Sequence, residues 1–198
     1  MHNCMSGGCG CCGGNEMDMD MMDVPTTAQV GEEAPMFTAE ALVGKEFKQV
    51  SSADFPGKWI LLFFYPLDFT FVCPTELLEL NKRYKEFEEN NCQVIGCSTD
   101  SVYSHQAWTK DIGEFNFPLL ADMTKEIAAD FGVLVEEKGV SLRGAFLIDP
   151  DGVLQSATIN NLPVGRNIDE LLRVLKAFQT GELCPVGWQE GGKTLGKA

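Results

Sequence analysis

Apolar residues come in short dense runs, with amphipathic stretches between them. Lys58 to Tyr65 (KWILLFFY) is continuous, rich in aromatics and preceded by Pro56-Gly57, which is the pattern of a strand buried on both faces. Cys92 to Ser98 (CQVIGCS) repeats that pattern. Gly144 to Asp149 (GAFLID) and Val153 to Ile159 (VLQSATI) predict a hairpin turned at Pro150-Asp151-Gly152. Phe37 to Leu42 and Glu46 to Val50 predict two short strands joined at Gly44, and Pro118 to Ala121 is a further short apolar piece.

Helical periodicity fills the gaps. From Cys73 to Asn90, Leu77, Leu78, Leu80, Tyr84 and Phe87 fall on one face, with Glu79, Lys82, Lys85 and Glu88 mostly outside. Ser101 to Asp111 predicts a helix carrying His105 and Trp108, with His105 in a packing or interface role. Thr124 to Phe131 predicts another, stopped at Gly132. Asn167-x-x-Glu170 is a capping box that opens a helix through Phe178. This order predicts an α/β chain, with a central mixed sheet and helices on both faces.

The ends differ from the middle. Residues 1–24 hold Cys4, Cys9, Cys11 and Cys12, many glycines and a Met/Asp run, with no apolar period, and read as a flexible tail. These cysteines are weak candidates for a soft metal such as Cu(I) or Zn(II), because their spacing matches no strong ligand pattern. A compact domain is expected over 25–180. Residues 181–198, with only Leu183, Val186, Trp188 and Leu195 to bury, read as a C-terminal arm anchored by Trp188.

Composition narrows the partners. Of 198 residues, 29 are acidic and 15 basic, a formal charge of −14, which disfavours nucleic acid and anionic membrane as partners. No run approaches the ~20 apolar residues of a membrane span. Met1 to Gly8 has neither a basic nor an apolar region, so no secretory signal is expected. The eight cysteines then fit a reducing, cytoplasmic setting, where they act as nucleophiles, ligands or core residues. Cys92 and Cys97, inside a strand pattern, read as small core hydrophobes.

The candidate chemistry sits where the strand ending at Tyr65 meets the helix starting at Cys73. A cysteine at a helix N-terminus is placed to react as a thiolate. Acidity alone does little for rate. Bringing a thiol from about 8.5 to about 6 raises the thiolate fraction roughly thirtyfold. Nucleophilicity falls with a slope of about 0.4–0.5, so the net gain is only about twofold or threefold. Other groups must stabilise the moving charge. Thr70 supplies a hydroxyl, Pro66 and Pro74 stiffen the loop, and Arg143, just before GAFLID, is the best-placed cation.

Pro66-Leu67-Asp68-Phe69-Thr70-Phe71-Val72-Cys73 resembles the Pro-x3-Thr-x2-Cys signature of the peroxiredoxins. The longer DFTFVCPTE, together with Leu142-Arg143-Gly144, Leu162-Pro163-Val164-Gly165-Arg166 and Gly181-Glu182-Leu183-Cys184-Pro185-Val186-Gly187-Trp188, is similar to the typical 2-Cys group. The resemblance covers roughly residues 25–190. It implies a thioredoxin-like fold and a thiol-dependent peroxidase acting on hydrogen peroxide and organic hydroperoxides without metal, haem or other cofactor. By the same resemblance Cys73 is the peroxidatic cysteine and Cys184 the resolving cysteine of a partner subunit. Pro66, Thr70 and Arg143 complete the pocket, and Glu76 holds Arg143 and Arg166. A head-to-tail homodimer, often assembled into a decamer, and recycling by thioredoxin or a flavoprotein disulfide reductase are further implied. Glu76 stands where a redox carrier of this fold would have its second cysteine, so a local disulfide is not possible. The Gly-Gly-Leu-Gly loop and C-terminal Tyr-Phe helix of oxidation-sensitive members are missing, so the arm is expected to release easily and Cys73 to resist overoxidation. The alternative reading is a peroxide sensor or oligomeric holdase with a metal-binding N-terminal tail.

Overall fold

The computed structural model describes residues 27–197. The proposed tail, with Cys4, Cys9, Cys11 and Cys12, lies outside the described residues. A mixed sheet organises the rest. Its strands are β1 (Thr38–Val43), β2 (Glu46–Ser51), β3 (Trp59–Phe64), β4 (Cys92–Ser98), β5 (Leu119–Ala121), β8 (Arg143–Ile148) and β9 (Leu154–Asn160), with a small separate hairpin of β6 (Leu134–Val135) and β7 (Val140–Ser141). The sheet order is β2-β1-β5-β4-β3-β8-β9. β3, β4 and β5 run parallel, and the outer pairings are antiparallel.

The alternation of side chains along β3 divides the core. Leu61, Phe63 and Tyr65 face one side, where Leu77, Leu80, Phe87, Trp108, Leu172 and Leu175 cover them. Ile60, Leu62 and Phe64 face the other, against Phe37, Ile127, Phe131 and Phe146. The covering helices are α1 (Cys73–Lys82), α2 (Tyr84–Glu89), α3 (Val102–Ile112) and α5 (Ile168–Gln179) on the first face, and α4 (Glu126–Asp130) on the second. Helices therefore flank both faces, unequally. Because β3 is sealed on both sides, its C-terminal end is a fixed platform for the residues that follow.

Three elements depart from the expectation. The single helix expected over Cys73 to Asn90 is two, interrupted at Arg83 (φ −92°, ψ 0°). There the Glu86 N–H bonds to the Arg83 carbonyl, a tighter turn, while the Arg83 guanidinium pairs with Glu86 and with Asp169 of α5. The helix expected from Thr124 begins two residues later, because Lys125 adopts a left-handed conformation (φ 66°) that no helix accommodates. Asp122 instead accepts from the N–H groups of Ile127 and Ala128 and so caps the shortened α4. The β6–β7 hairpin was not anticipated, since two-residue strands carry too little alternation to be seen. The capping box of α5 is half made. Asn167 accepts from the Glu170 N–H at 3.2 Å, but the Glu170 carboxylate is held by Arg173.

After α5 no described residue lies in a helix or strand. It folds back on itself, with the Leu183 N–H bonding to the Gly196 carbonyl and the Leu195 N–H to the Leu183 carbonyl, each at 2.8 Å. Among its described apolar side chains only Trp188 is buried, whereas Leu183, Val186 and Leu195 are exposed.

Candidate active site

Cys73 is the first residue of α1, directly off the loop that leaves the sealed end of β3. Its side chain is wholly buried. The loop holds Phe69 at φ +52°, a left-handed turn for an aromatic residue that costs about 1–2 kcal/mol. Ser141 Oγ donates to the Tyr65 carbonyl at 3.0 Å and fixes the start of the loop.

Three charged side chains surround the sulfur. Arg143, the first residue of β8, donates from Nη1 to Cys73 Sγ at 3.4 Å and to Glu76 Oε2 at 2.7 Å. Its Nε donates to the Leu162 carbonyl at 2.7 Å, so the guanidinium is held from both ends. Glu76, one turn into α1, accepts through Oε1 from the backbone N–H and Nε of Arg166 at 2.7 and 2.9 Å. Arg166 also donates to the Gly144 carbonyl and lies over the Phe63 ring, 3.3 Å from its centroid. Gly144 is itself packed tightly, since a Cβ there would come within 2.7 Å of Phe146 and 2.9 Å of Val133.

All three charged groups are buried. Two guanidinium groups face one carboxylate, which leaves one positive charge beside the sulfur. Burial pulls the Arg166 guanidinium down to about 10, against the opposing support of Glu76. Glu76 is thus the counter-charge on which both arginines depend. Among the described residues, Arg166 Nη2 is the one buried side-chain polar atom without a partner, a spare donor inside this cluster.

The structure brings Cys73, Glu76, Arg143 and Arg166 together. Pro66 is buried at the mouth of the loop, and Thr70 is half-buried. The Thr70 hydroxyl donates to the Leu67 carbonyl at 3.0 Å, within the loop. Cys184 is seated differently. It is partly exposed, in a cleft of about 610 Å³ lined by Val174, Ala177 and Phe178 of α5 and by the arm. Its sulfur lies 3.5 Å from Thr180 Oγ1 and 3.6 Å from the Ala177 carbonyl. Arg173 ties the arm to α5 by donating to the Trp188 carbonyl at 3.0 Å, and Lys176 pairs with Glu190.

Cys92 and Cys97 are buried core residues, as their strand pattern implied. Burial pushes Cys92 up to about 12 and Cys97 well above its ordinary value. Sequence reasoning passed over the role of Leu162, whose carbonyl anchors Arg143, and the buried partners of Asp68. A backbone acceptor leaves no compositional mark. Among the described residues no group of three or more His, Cys, Asp or Glu side chains is placed to hold a metal ion.

Residues 30–157 match the model of the AhpC/TSA family. The chain is 52% identical over 172 residues to a thioredoxin peroxidase of Fasciola hepatica, covering 82% of this chain and 89% of the relative. It is 49% identical over 178 residues to peroxiredoxin-2 of Bos taurus, covering 85% and 89%. The reduced 2-Cys peroxiredoxin of Plasmodium vivax superposes with a TM-score of 0.81 at 46% identity, over 83% of this chain and 91% of that one. The thioredoxin-like fold expected from the motifs is the fold of that relative. With the family model spanning most of the domain and relatives near half identity along nearly all of it, the chain belongs to the AhpC/TSA family, in its 2-Cys peroxiredoxin group.

Proposed function

We propose that this thiol-dependent peroxidase works by attack of the Cys73 sulfur on the terminal oxygen of a hydroperoxide. An S–O bond forms and the O–O bond breaks. Cys73 becomes a sulfenic acid, and the leaving alkoxide or hydroxide takes a proton to depart as alcohol or water. The observation that carries this reading is the Arg143 guanidinium, 3.4 Å from Cys73 Sγ and braced by Glu76 and Leu162. A braced cation beside the sulfur stabilises charge as it moves from sulfur to oxygen, at no cost in reorganisation. Arg166 adds a second cation, Pro66 keeps water from the loop, and Thr70 shapes the loop turn through Leu67.

Cys184 then attacks the sulfenic sulfur, giving a Cys73–Cys184 disulfide and one water. A disulfide needs its two Cα atoms within about 7 Å. Since Cys73 is wholly buried, the loop and first turn of α1 must open for a second thiol to reach it. We place Cys184 on a partner subunit, in a homodimer that assembles into a decamer. What supports assembly is the exposed edge strand β9, with the exposed side chains of Phe69 and Phe71 on the loop and of Tyr103 on α3. A dithiol reductant, thioredoxin or a flavoprotein disulfide reductase, then returns both cysteines to thiols. The expected compartment is cytoplasmic. No described helix is long and apolar enough to cross a membrane.

The test is catalytic peroxide consumption by substoichiometric protein with dithiothreitol. Cys73→Ser is expected to abolish turnover, and Cys184→Ser to keep the first oxidation but block recycling by the reductase. Full activity in Cys73→Ser would overturn the assignment.

A further inference from the structure

Beneath the Cys73 loop lies a buried polar cluster that the peroxide chemistry leaves unused. Asp68, within the loop, is only 5% exposed. Its carboxylate accepts from the Tyr65 hydroxyl at 2.9 Å and lies 2.8 Å from Nδ1 of His105. The Asp68 N–H donates to the Asp100 carboxylate at 2.9 Å, which also accepts from the Ser98 hydroxyl at 2.9 Å. His105 is fully buried on α3, with Nε2 3.1 Å from the Leu120 carbonyl. Burial and the neighbouring Asp68 charge push Tyr65 well above the ordinary phenol range, so its hydroxyl stays a donor.

The partners fix the protons. A carbonyl only accepts, so His105 Nε2 carries a hydrogen. Opposite it, Nδ1 faces a carboxylate oxygen, so one proton lies between Asp68 and His105, on the ring or on the carboxyl. The pair is then neutral as a unit and every member is bonded. Such a buried network specifies one arrangement when complete and is costly when broken.

Its position relative to the chemistry is what matters. Asp68 immediately precedes Phe69, the strained residue of the loop. Trp108, one turn beyond His105, stacks on Tyr65 with ring centroids 5.8 Å apart and meets Phe69 at 6.4 Å. α3 therefore grips the loop at Asp68 and at Phe69. The loop side chains Leu67 and Phe71 are exposed, and Thr70 bonds only within the loop.

We propose that Asp68 and His105 form a latch that holds the Cys73 loop in its peroxide-reactive shape. They are positioning residues that favour the first chemical step and restrain the second. The inference rests on the reading of Cys73 as nucleophile. Oxidation uses the closed loop, whereas disulfide formation uses the opened one. Weakening the latch shifts population from the first shape to the second. General loss of structure would slow both steps.

The experiment is stopped-flow tryptophan fluorescence on the full chain, which separates the peroxide-dependent step from the peroxide-independent resolution step. His105→Phe and Asp68→Ala are expected to lower the oxidation constant by about tenfold or more, since small misplacements of reacting groups have effects of that size. Both are expected to raise the resolution constant and lower the sulfinic acid formed in excess peroxide. Asp68→Asn can accept from Tyr65 and donate to Nδ1 of a neutral His105, restoring each bond, and is expected nearer to wild type than Asp68→Ala. If His105→Phe does not fold, the Asp68 pair carries the test. Unchanged constants, a parallel fall in both, or equal behaviour of Asp68→Ala and Asp68→Asn would refute the latch while leaving the peroxidase reading intact. Peroxide consumption by Cys73→Ser would instead refute that reading.

Discussion

The two cysteines proposed to carry the reaction sit in opposite surroundings. Cys73 lies at the end of a strand sealed on both faces, wholly buried, with a braced guanidinium 3.4 Å from its sulfur. Cys184 lies in an arm without regular structure, partly exposed, against weak sulfur contacts to Thr180 and Ala177. On the proposed mechanism the first seat fixes charge in the transition state, and the second lets go. A single rigid site could not serve both steps, because a sulfur enclosed for attack on peroxide is closed to a second thiol. The proposed reaction therefore alternates between a preorganised shape and a displaceable one.

Glu76 is where that contrast is most easily broken. As the shared counter-charge of two buried arginines, its removal leaves two cations unpaired. Glu76→Gln is expected to lower stability by about 3–5 kcal/mol and to slow Cys73 oxidation by roughly a hundredfold or more. Urea unfolding and single-turnover kinetics check the two effects. Glu170→Gln, at an exposed pair with Arg173, is expected to stay within about 0.5 kcal/mol of wild type.

The inert cysteines sharpen the comparison from the other side. Burial raises Cys92 from 9.0 to about 12 and moves Cys97 in the same direction, so the fold prefers both thiols neutral. Above about pH 9 the unfolded chain releases these protons and the folded chain keeps them. The unfolded state then binds fewer protons, so stability falls as pH rises from about 9 toward 12. For Cys92 the full loss approaches about 4 kcal/mol, at 1.36 kcal/mol per unit. Unfolding curves from pH 8 upward check this, with Cys92→Ala expected to flatten the slope. In the native protein at pH 8, iodoacetamide is expected to label Cys184 and to spare Cys92 and Cys97.

Smaller effects belong to the arm. Arg173→Ala removes the bond to the Trp188 carbonyl, worth about 1 kcal/mol, and is expected to speed disulfide formation roughly fivefold. Rapid-quench mass spectrometry of the disulfide reads that change. The same arm, with its exposed Leu183 and Val186, is expected to outrun further oxidation. Sulfinic acid on Cys73 should remain a minor product after turnover in excess peroxide, and its rapid accumulation would contradict that expectation.

The sequence displayed the fold where side-chain period carries it. The apolar runs of β3 and β8 are buried almost throughout, as their patterns require, whereas β9, at the sheet edge, buries only Leu154. The charged site was legible through motifs that place Cys73 and Glu76 on α1, Arg143 on β8 and Arg166 just before α5. What stayed hidden depends on backbone geometry or on distant pairing. At the break, Arg83 turns more tightly than a helix and pairs with Asp169, far along the chain. The Leu162 carbonyl that aims Arg143 has no side-chain signature. The helical pattern puts His105 in a packing or interface role, and it is buried, yet its carboxylate partner lies 37 positions away in the chain, where no local period could join them.

The order of events at the two sulfurs decides the proposed mechanism. One equivalent of hydrogen peroxide is mixed with fully reduced Cys184→Ser and with wild-type protein, quenched at intervals into dimedone, and digested for mass spectrometry. The prediction is a dimedone adduct on Cys73 that forms at the same rate in both, persists in Cys184→Ser, and in wild type gives way to a Cys73–Cys184 disulfide joining two chains. Dimedone capture at Cys184 before Cys73, or a disulfide in wild type with no prior sulfenic acid at Cys73, would contradict it.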